Sequence, residues 1–181
     1  MLTAVEQRQQ ELARRFEALA EPHVDELYRL AAAIAGIEDA DDVTQEALTE
    51  AWRSFGQLRN EELFGRWIRT IVVNRCRNLL RSRRRSVRAI SLDSVLPAAA
   101  EGNLPHEPGD FASDVAERDR LDRAFDHLAL DHRAVLALHY TLDLPMPEVA
   151  AILKVPEGTA KSRLHVALSR MRAVLQEEPT A

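Results

Sequence analysis

Apolar residues recur at helical spacing in segment after segment of this chain, and in no segment do they alternate with period two. Over 40–55, Val43, Ala47, Leu48, Ala51, Trp52 and Phe55 fall on one side. Asp42, Gln45, Glu46, Thr49 and Arg53 fall on the other. Over 64–85 the stripe is Phe64, Ile68, Ile71, Val72 and Leu79. Further helices are expected at 3–19 and 23–35. The punctuation agrees: no proline stands between Pro22 and Pro97, and the glycines there are Gly36, Gly56 and Gly65. Trp52, on the stripe, is expected in the core.

From residue 89 to 113 the periodicity fails. Pro97, Pro105, Pro108, Gly102 and Gly109 lie among acids, the composition of a flexible acidic linker. Helical signal resumes at 114–128, 131–142, 147–154 and 157–176, with Asp131 a candidate N-cap. The expected fold is all-α: two small helical domains, 1–88 and 114–178, joined by the linker at 89–113.

The last two helices are arranged in a way that carries chemistry. A two-turn helix with Pro147 at its start ends at Val155-Pro156, and a longer helix opens near Glu157-Gly158-Thr159. Short helix, tight turn and long helix with basic residues near its start is the helix-turn-helix pattern, whose second helix enters the major groove of DNA. At 100° per residue, Ala160, Leu164, Ala167, Met171 and Val174 share the buried face. Ser162, His165, Val166 and Ser169 face outward, flanked by Lys161, Arg163, Arg170 and Arg172. The same pattern also suits an ordinary helical hairpin.

Net charge is −5 over 181 residues, which by itself would argue against a nucleic-acid partner. The distribution reverses that inference. Arg66 to Arg88 holds nine arginines and no acid, and Lys154 to Arg172 holds five bases against Glu157 alone. Acid-rich stretches, 21–62 and 93–131, precede each of them, so the chain can hold a polyanion at two places while other faces meet a basic partner. A lone Cys76 excludes an internal disulfide and a Cys-based zinc cluster; amid basic residues its pKa could fall, though a buried thiol is the plainer reading. The six histidines show no ligand spacing, and neither GxGxxG nor a Walker motif occurs. No cofactor, metal or catalytic constellation is expected. No apolar run approaches the roughly 18 residues that span a bilayer, so a soluble, cytoplasmic protein without a membrane segment is expected.

Leu142-Asp143-Leu144-Pro145 through Val155-Pro156-Glu157-Gly158-Thr159-Ala160-Lys161-Ser162-Arg163-Leu164-His165 resembles region 4 of the extracytoplasmic-function (ECF) group of bacterial RNA polymerase sigma factors. Tyr28-Arg29-Leu30-Ala31, the run Asp39 to Ala47 with Ala51-Trp52-Arg53, and Phe64-Gly65-Arg66-Trp67-Ile68 with Asn74 and the arginine run resemble its region 2. The resemblance implies a non-enzymatic transcription initiation factor with core RNA polymerase (β′ clamp helices and β flap) and promoter DNA as partners. It implies that Asp42, Gln45, Glu46 and Arg53 dock on polymerase. The loop Gly56 to Leu63 and the next helix, through Arg59, Asn60, Arg66, Trp67, Arg69, Asn74, Arg77 and Arg81, would hold the unstacked minus-10 strand. Thr159, Lys161, Ser162, Arg163, His165, Val166, Ser169 and Arg170 would read the minus-35 duplex. Trp67 can be either a core residue or a platform for a base. The alternative function is a sigma-like DNA-binding regulator or adaptor that does not direct initiation, and the presence of an anti-sigma partner stays open.

The chain departs from that pattern at Lys154, which stands where the group commonly has glycine; a left-handed backbone there would cost about 1 kcal/mol. Pro145 replaces a Ser or Thr cap, and Val166 and Leu168 occupy positions often taken by arginine, leaving the reading helix less basic.

Overall fold

The structure, a computed structural model, describes residues 4–90, 120–121, 123–125 and 127–177. Among them there are helices and no strand. The first unit comprises α1 (Ala4–Ala20), α2 (Val24–Ala35), α3 (Ile37–Ser54) and α4 (Phe64–Ile90). Gly36 joins α2 to α3 in a single residue at φ 102°, a conformation that side-chain-bearing residues resist. Its N–H donates to Ala32 O at 2.9 Å. α3 buries Ala40, Val43, Thr44, Ala47 and Ala51, mostly small residues that let α2 and α4 approach closely. The Thr44 hydroxyl is satisfied by donating to Ala40 O at 2.7 Å. α4 buries Ile68, Ile71, Val72, Val73 and Cys76 against them. It continues to Ile90, past the expected end of its stripe, through a run of arginines, residues that favour the helix. From residue 91 the expected linker lies outside the described residues.

The second unit comprises α5 (Leu130–Leu136), continued by a π-helical turn (Ala137–Thr141), then α6 (Met146–Leu153) and α7 (Glu157–Glu177). Asp131 is not the N-cap: Ala129 holds that position, and Asp131 sits in the first turn, free to bind elsewhere. Lys154 does adopt the left-handed backbone, at φ 56° and ψ 47°. Val155 N–H reaches Ala150 O at 3.1 Å and Lys154 N–H reaches Ala151 O at 3.3 Å, the paired bonds of a Schellman stop. At the start of α6, Pro145 caps without a side-chain hydrogen bond, as its chemistry requires.

The two units are packed against each other. α2 lies on α5 and the π-helical turn, and α4 lies on α6. One apolar cluster runs from Leu27, Leu30 and Ile68 through to Leu138, Val149 and Ile152. Helical periodicity marks a buried face but not the partner that buries it, so this packing was not legible in the sequence.

Candidate polymerase and DNA surfaces

Asp42, Gln45, Glu46 and Arg53 are all exposed on one face of α3, as the spacing predicts. Arg75 of α4 borders that face, donating to Glu50 at 2.5 Å and to Glu46 at 3.3 Å. Trp52 departs from expectation: it is 40% exposed at the margin of the face. The alanines of α3 fill its contact with α2 and α4, which leaves the indole at the edge of the stripe, 5.4 Å from the Phe16 ring.

Between α3 and α4 the chain makes two single 3-10 turns, Phe55–Gln57 and Glu61–Leu63. Arg59 and Asn60 are exposed. Asn60 caps the second turn, its Oδ1 accepting from Glu62 N–H at 2.9 Å. Arg66 points outward, whereas Trp67 is half-buried, tilted on Phe64 at 5.7 Å and packed on the core. Further along α4, Asn74 and Arg81 are exposed.

Arg69 and Arg77, expected on the same DNA face, are engaged by carboxylates. Arg69 forks onto Glu26 of α2, with Nη2 to Oε2 at 3.1 Å and a closer Nε contact, while its Nη1 donates to Glu148 of α6 at 2.9 Å. Burial pulls against charge in this cluster and loses: with Arg69, and then His23, beside it, the Glu26 carboxyl titrates below its usual range. The Arg69 guanidinium is likewise held charged despite its burial. Arg77 donates to Asp131 of α5 at 3.1 and 3.3 Å. The second oxygen of Asp131 receives Arg163 of α7 at 3.0 Å. One carboxylate therefore ties an arginine from each basic block. Between the units an open cavity of about 580 Å³ is lined by Glu62, Leu63, Arg66 and Arg69 on one side and Pro145, Pro147 and Glu148 on the other.

On α7, Thr159, Lys161, Ser162, His165, Ser169 and Arg170 are exposed, and Lys161 pairs with Glu157 at 2.7 Å. Arg163 and Val166 are half-buried, so the outward face is narrower than the helical wheel implies. Arg170 Nη1 lies 3.5 Å from His132 Nδ1. Burial, then the charges of Arg170 and Arg163, push the His132 pKa down against the pull of Asp131. Cys76 is buried in α4, and burial pushes its thiol up to about 12, which makes it an inert core residue. No group of residues able to hold a metal ion, and no helix long and apolar enough to cross a membrane, is present among the described residues.

Glu26, Asp131 and Glu148, the acids that engage the arginines, were not legible as partners in the sequence. Each stands in or near the first turn of a helix, where acids are common for reasons of the helix dipole alone.

Two family models match in chain order: Sigma-70 region 2 over residues 19–86 and Sigma-70, region 4 over residues 118–171. Fold and site thus define a two-region sigma protein of the sigma-70 type. The ECF RNA polymerase sigma factor SigL of Mycobacterium tuberculosis is 30% identical over 168 residues, covering 91% of both chains. SigM of the same organism is 31% identical over 161 residues, covering 88% of this chain and 76% of its own. The fold is shared with the sigma factor RpoE of Bartonella quintana, solved in complex with the anti-sigma factor NepR, at a TM-score of 0.68 and 22% identity over 92% of this chain and 99% of that one. It is shared equally with CnrH, solved with the cytosolic domain of CnrY, at a TM-score of 0.66 and 21% identity over 92% and 91%. The chain belongs to the ECF group of RNA polymerase sigma factors. Its role is in transcription initiation.

Proposed function

We propose that this sigma factor binds core polymerase through Asp42, Gln45, Glu46 and Arg53, and captures the minus-10 strand through the loop at 56–63 and the outer face of α4. It reads the minus-35 duplex through α7. Arg59, Asn60, Arg66, Asn74 and Arg81 are the exposed set on the first DNA face, with Trp67 serving as a half-buried wall. Thr159, Lys161, Ser162, His165, Ser169 and Arg170 are the exposed set on the second, with Val166 offering an apolar contact to a thymine methyl rather than a hydrogen bond. The protein acts in the cytoplasm without enzymatic chemistry or cofactor, since strand opening draws on base capture and phosphate contacts. The domain division 1–88, 89–113 and 114–178 follows the two surfaces.

The observation that carries this reading is the coexistence, on one chain, of an exposed acidic and polar face on α3, an arginine-lined α4 and a helix-turn-helix ending in α7. A DNA-binding regulator needs only the last of these. A corollary follows from the ion pairs: Arg77 and Arg163 are withheld from DNA phosphates while Asp131 holds them, and Glu148 adds to the hold of Glu26 on Arg69, so the packed arrangement is the DNA-free form and opens on promoter binding. The solved neighbour RpoE is in complex with the anti-sigma factor NepR, and a partner of that class is a natural candidate to stabilise the closed form here.

The test is transcription of supercoiled bacterial DNA by core polymerase with and without the full chain. Initiation that depends on the chain, with permanganate-reactive thymines near the start sites, is the expected outcome. Stable binding to core without any transcript would favour the adaptor instead.

A further inference from the structure

Phe16 lies ahead of residue 19, where the Sigma-70 region 2 match begins, yet its ring is the meeting point of the aromatic residues around the α3–α4 loop. It stands edge-on to Phe55 at 5.3 Å and to Phe64 at 5.8 Å. Phe55 opens the first 3-10 turn and Phe64 begins α4, so the two residues bracket the loop, and both are nearly inaccessible. Trp52 adds a third ring at 5.4 Å. One residue earlier, Arg15 donates to the Glu61 carboxylate within the second 3-10 turn. α1 thus grips the loop at both ends through one ring and at its second turn through one ion pair.

Geometry and thermodynamics together give this grip a purpose. Residues 56–63 contain no α-helix, only parts of two single 3-10 turns, and contribute no fully buried side chain, so holding them in one shape must be offset by something outside them. Binding an unstacked base costs less when its receptor is already ordered. Edge-to-face aromatic pairs supply orientation as well as burial, and the two that Phe16 makes with Phe55 and Phe64 fix the loop's two ends relative to each other. The exposed Arg15–Glu61 pair contributes little energy by comparison and sets register.

We propose that α1 is part of the minus-10 recognition apparatus, with Phe16 a positioning residue that pre-orders the loop at 56–63 for capture of single-stranded DNA. This rests on the reading above that the loop receives the minus-10 strand. Phe16 is not itself a DNA contact; it acts through Phe55 and Phe64.

The experiment uses holoenzyme made with the full chain. A random pool of single-stranded DNA of about 12 nucleotides is selected on wild-type holoenzyme, and the winning oligonucleotide is titrated against variants. Phe16→Ala is expected to weaken binding about tenfold and to broaden the preferred base, with affinity for core polymerase unchanged. Phe16→Tyr, which keeps the ring, is expected to restore wild-type behaviour. Arg59→Ala, within the loop, serves as the reference. If Arg59→Ala weakens binding and Phe16→Ala does not, the proposal falls while the loop assignment stands. If neither weakens binding, the loop assignment itself fails. Should Phe16→Ala not fold, Arg15→Glu is expected to lose about twofold in affinity and the exchange Arg15→Glu with Glu61→Arg to recover it. Absence of either the loss or the recovery overturns the proposal.

Discussion

The two basic blocks of this sigma factor are built in opposite ways. On α4 the arginines nearest the second unit, Arg69 and Arg77, are half-buried and bound to Glu26, Glu148 and Asp131. On α7 the cations Lys161 and Arg170 stay exposed, and only Arg163 turns inward, to the same Asp131. The first block spends part of its charge on closing the molecule, and the second keeps most of it at the surface. Local density of positive charge is therefore a poor measure of what is available to DNA; the number of arginines without a facing carboxylate is the better one.

Reversing charge at Asp42 and Glu46 should produce the largest effect, because it acts on the exposed α3 face, which Arg75 of the first basic block borders through Glu46 and Glu50. Association with core polymerase is expected to fall on the order of 100-fold while helicity is retained. Undiminished association, measured by fluorescence titration, would mean that the α3 face is an ordinary solvated surface.

Next in size is the release of the closing contacts. Replacing Asp131 by Asn and Glu148 by Gln together should raise the isolated chain's affinity for promoter DNA about fivefold and enlarge its radius in X-ray scattering. The gain is modest because both acids are partly exposed and such pairs contribute about 0.2–1 kcal/mol each. The apolar cluster shared by the two units continues to oppose opening. Equal affinity in the double variant would show that the two arginine sets are not in competition with DNA.

A smaller effect is expected at the turn before α7. Lys154→Gly relieves a left-handed backbone worth about 1 kcal/mol, and glycine's larger unfolded-state entropy returns part of it. Chemical denaturation should register a net stabilisation of roughly 0.5 kcal/mol. No gain, or a loss, would mean that the lysine side chain contributes something that offsets its backbone.

Acid should loosen the structure, and the sign is the same at two sites. His132 titrates below its ordinary 6.5 when folded, so protons prefer the unfolded chain, and stability declines as pH falls through 6.5 toward the lowered value. Glu26 is also depressed, below 4.5; its contribution is present above that value and is lost as pH falls through the folded one. Urea midpoints measured against pH should fall in those two steps, and His132→Gln should flatten the upper step alone.

Much of this molecule was legible in its residues. The stripes of α3 and α4 placed Val43, Ala47, Ile68 and Val72 in the core correctly, because a helix of fixed pitch leaves a single face for burial. The turn at Lys154 was readable from its position between two helices, and the polar face of α3 from the absence of any apolar residue on it. Such features depend on neighbours within a few residues in sequence. Trp52 was misjudged because the width of a buried stripe is decided by the size of the residues across from it. The pairing of Arg69 with Glu148, the bridging of Arg77 and Arg163 by Asp131, and the convergence of Phe16 on Phe55 and Phe64 join residues dozens of positions apart. Periodicity and charge say that each of those side chains wants a partner. Only the docking of α1 on the α3–α4 loop, and of α2 and α4 on the second unit, determines which one it meets, since contact in space is a property of how whole helices dock and not of any segment alone.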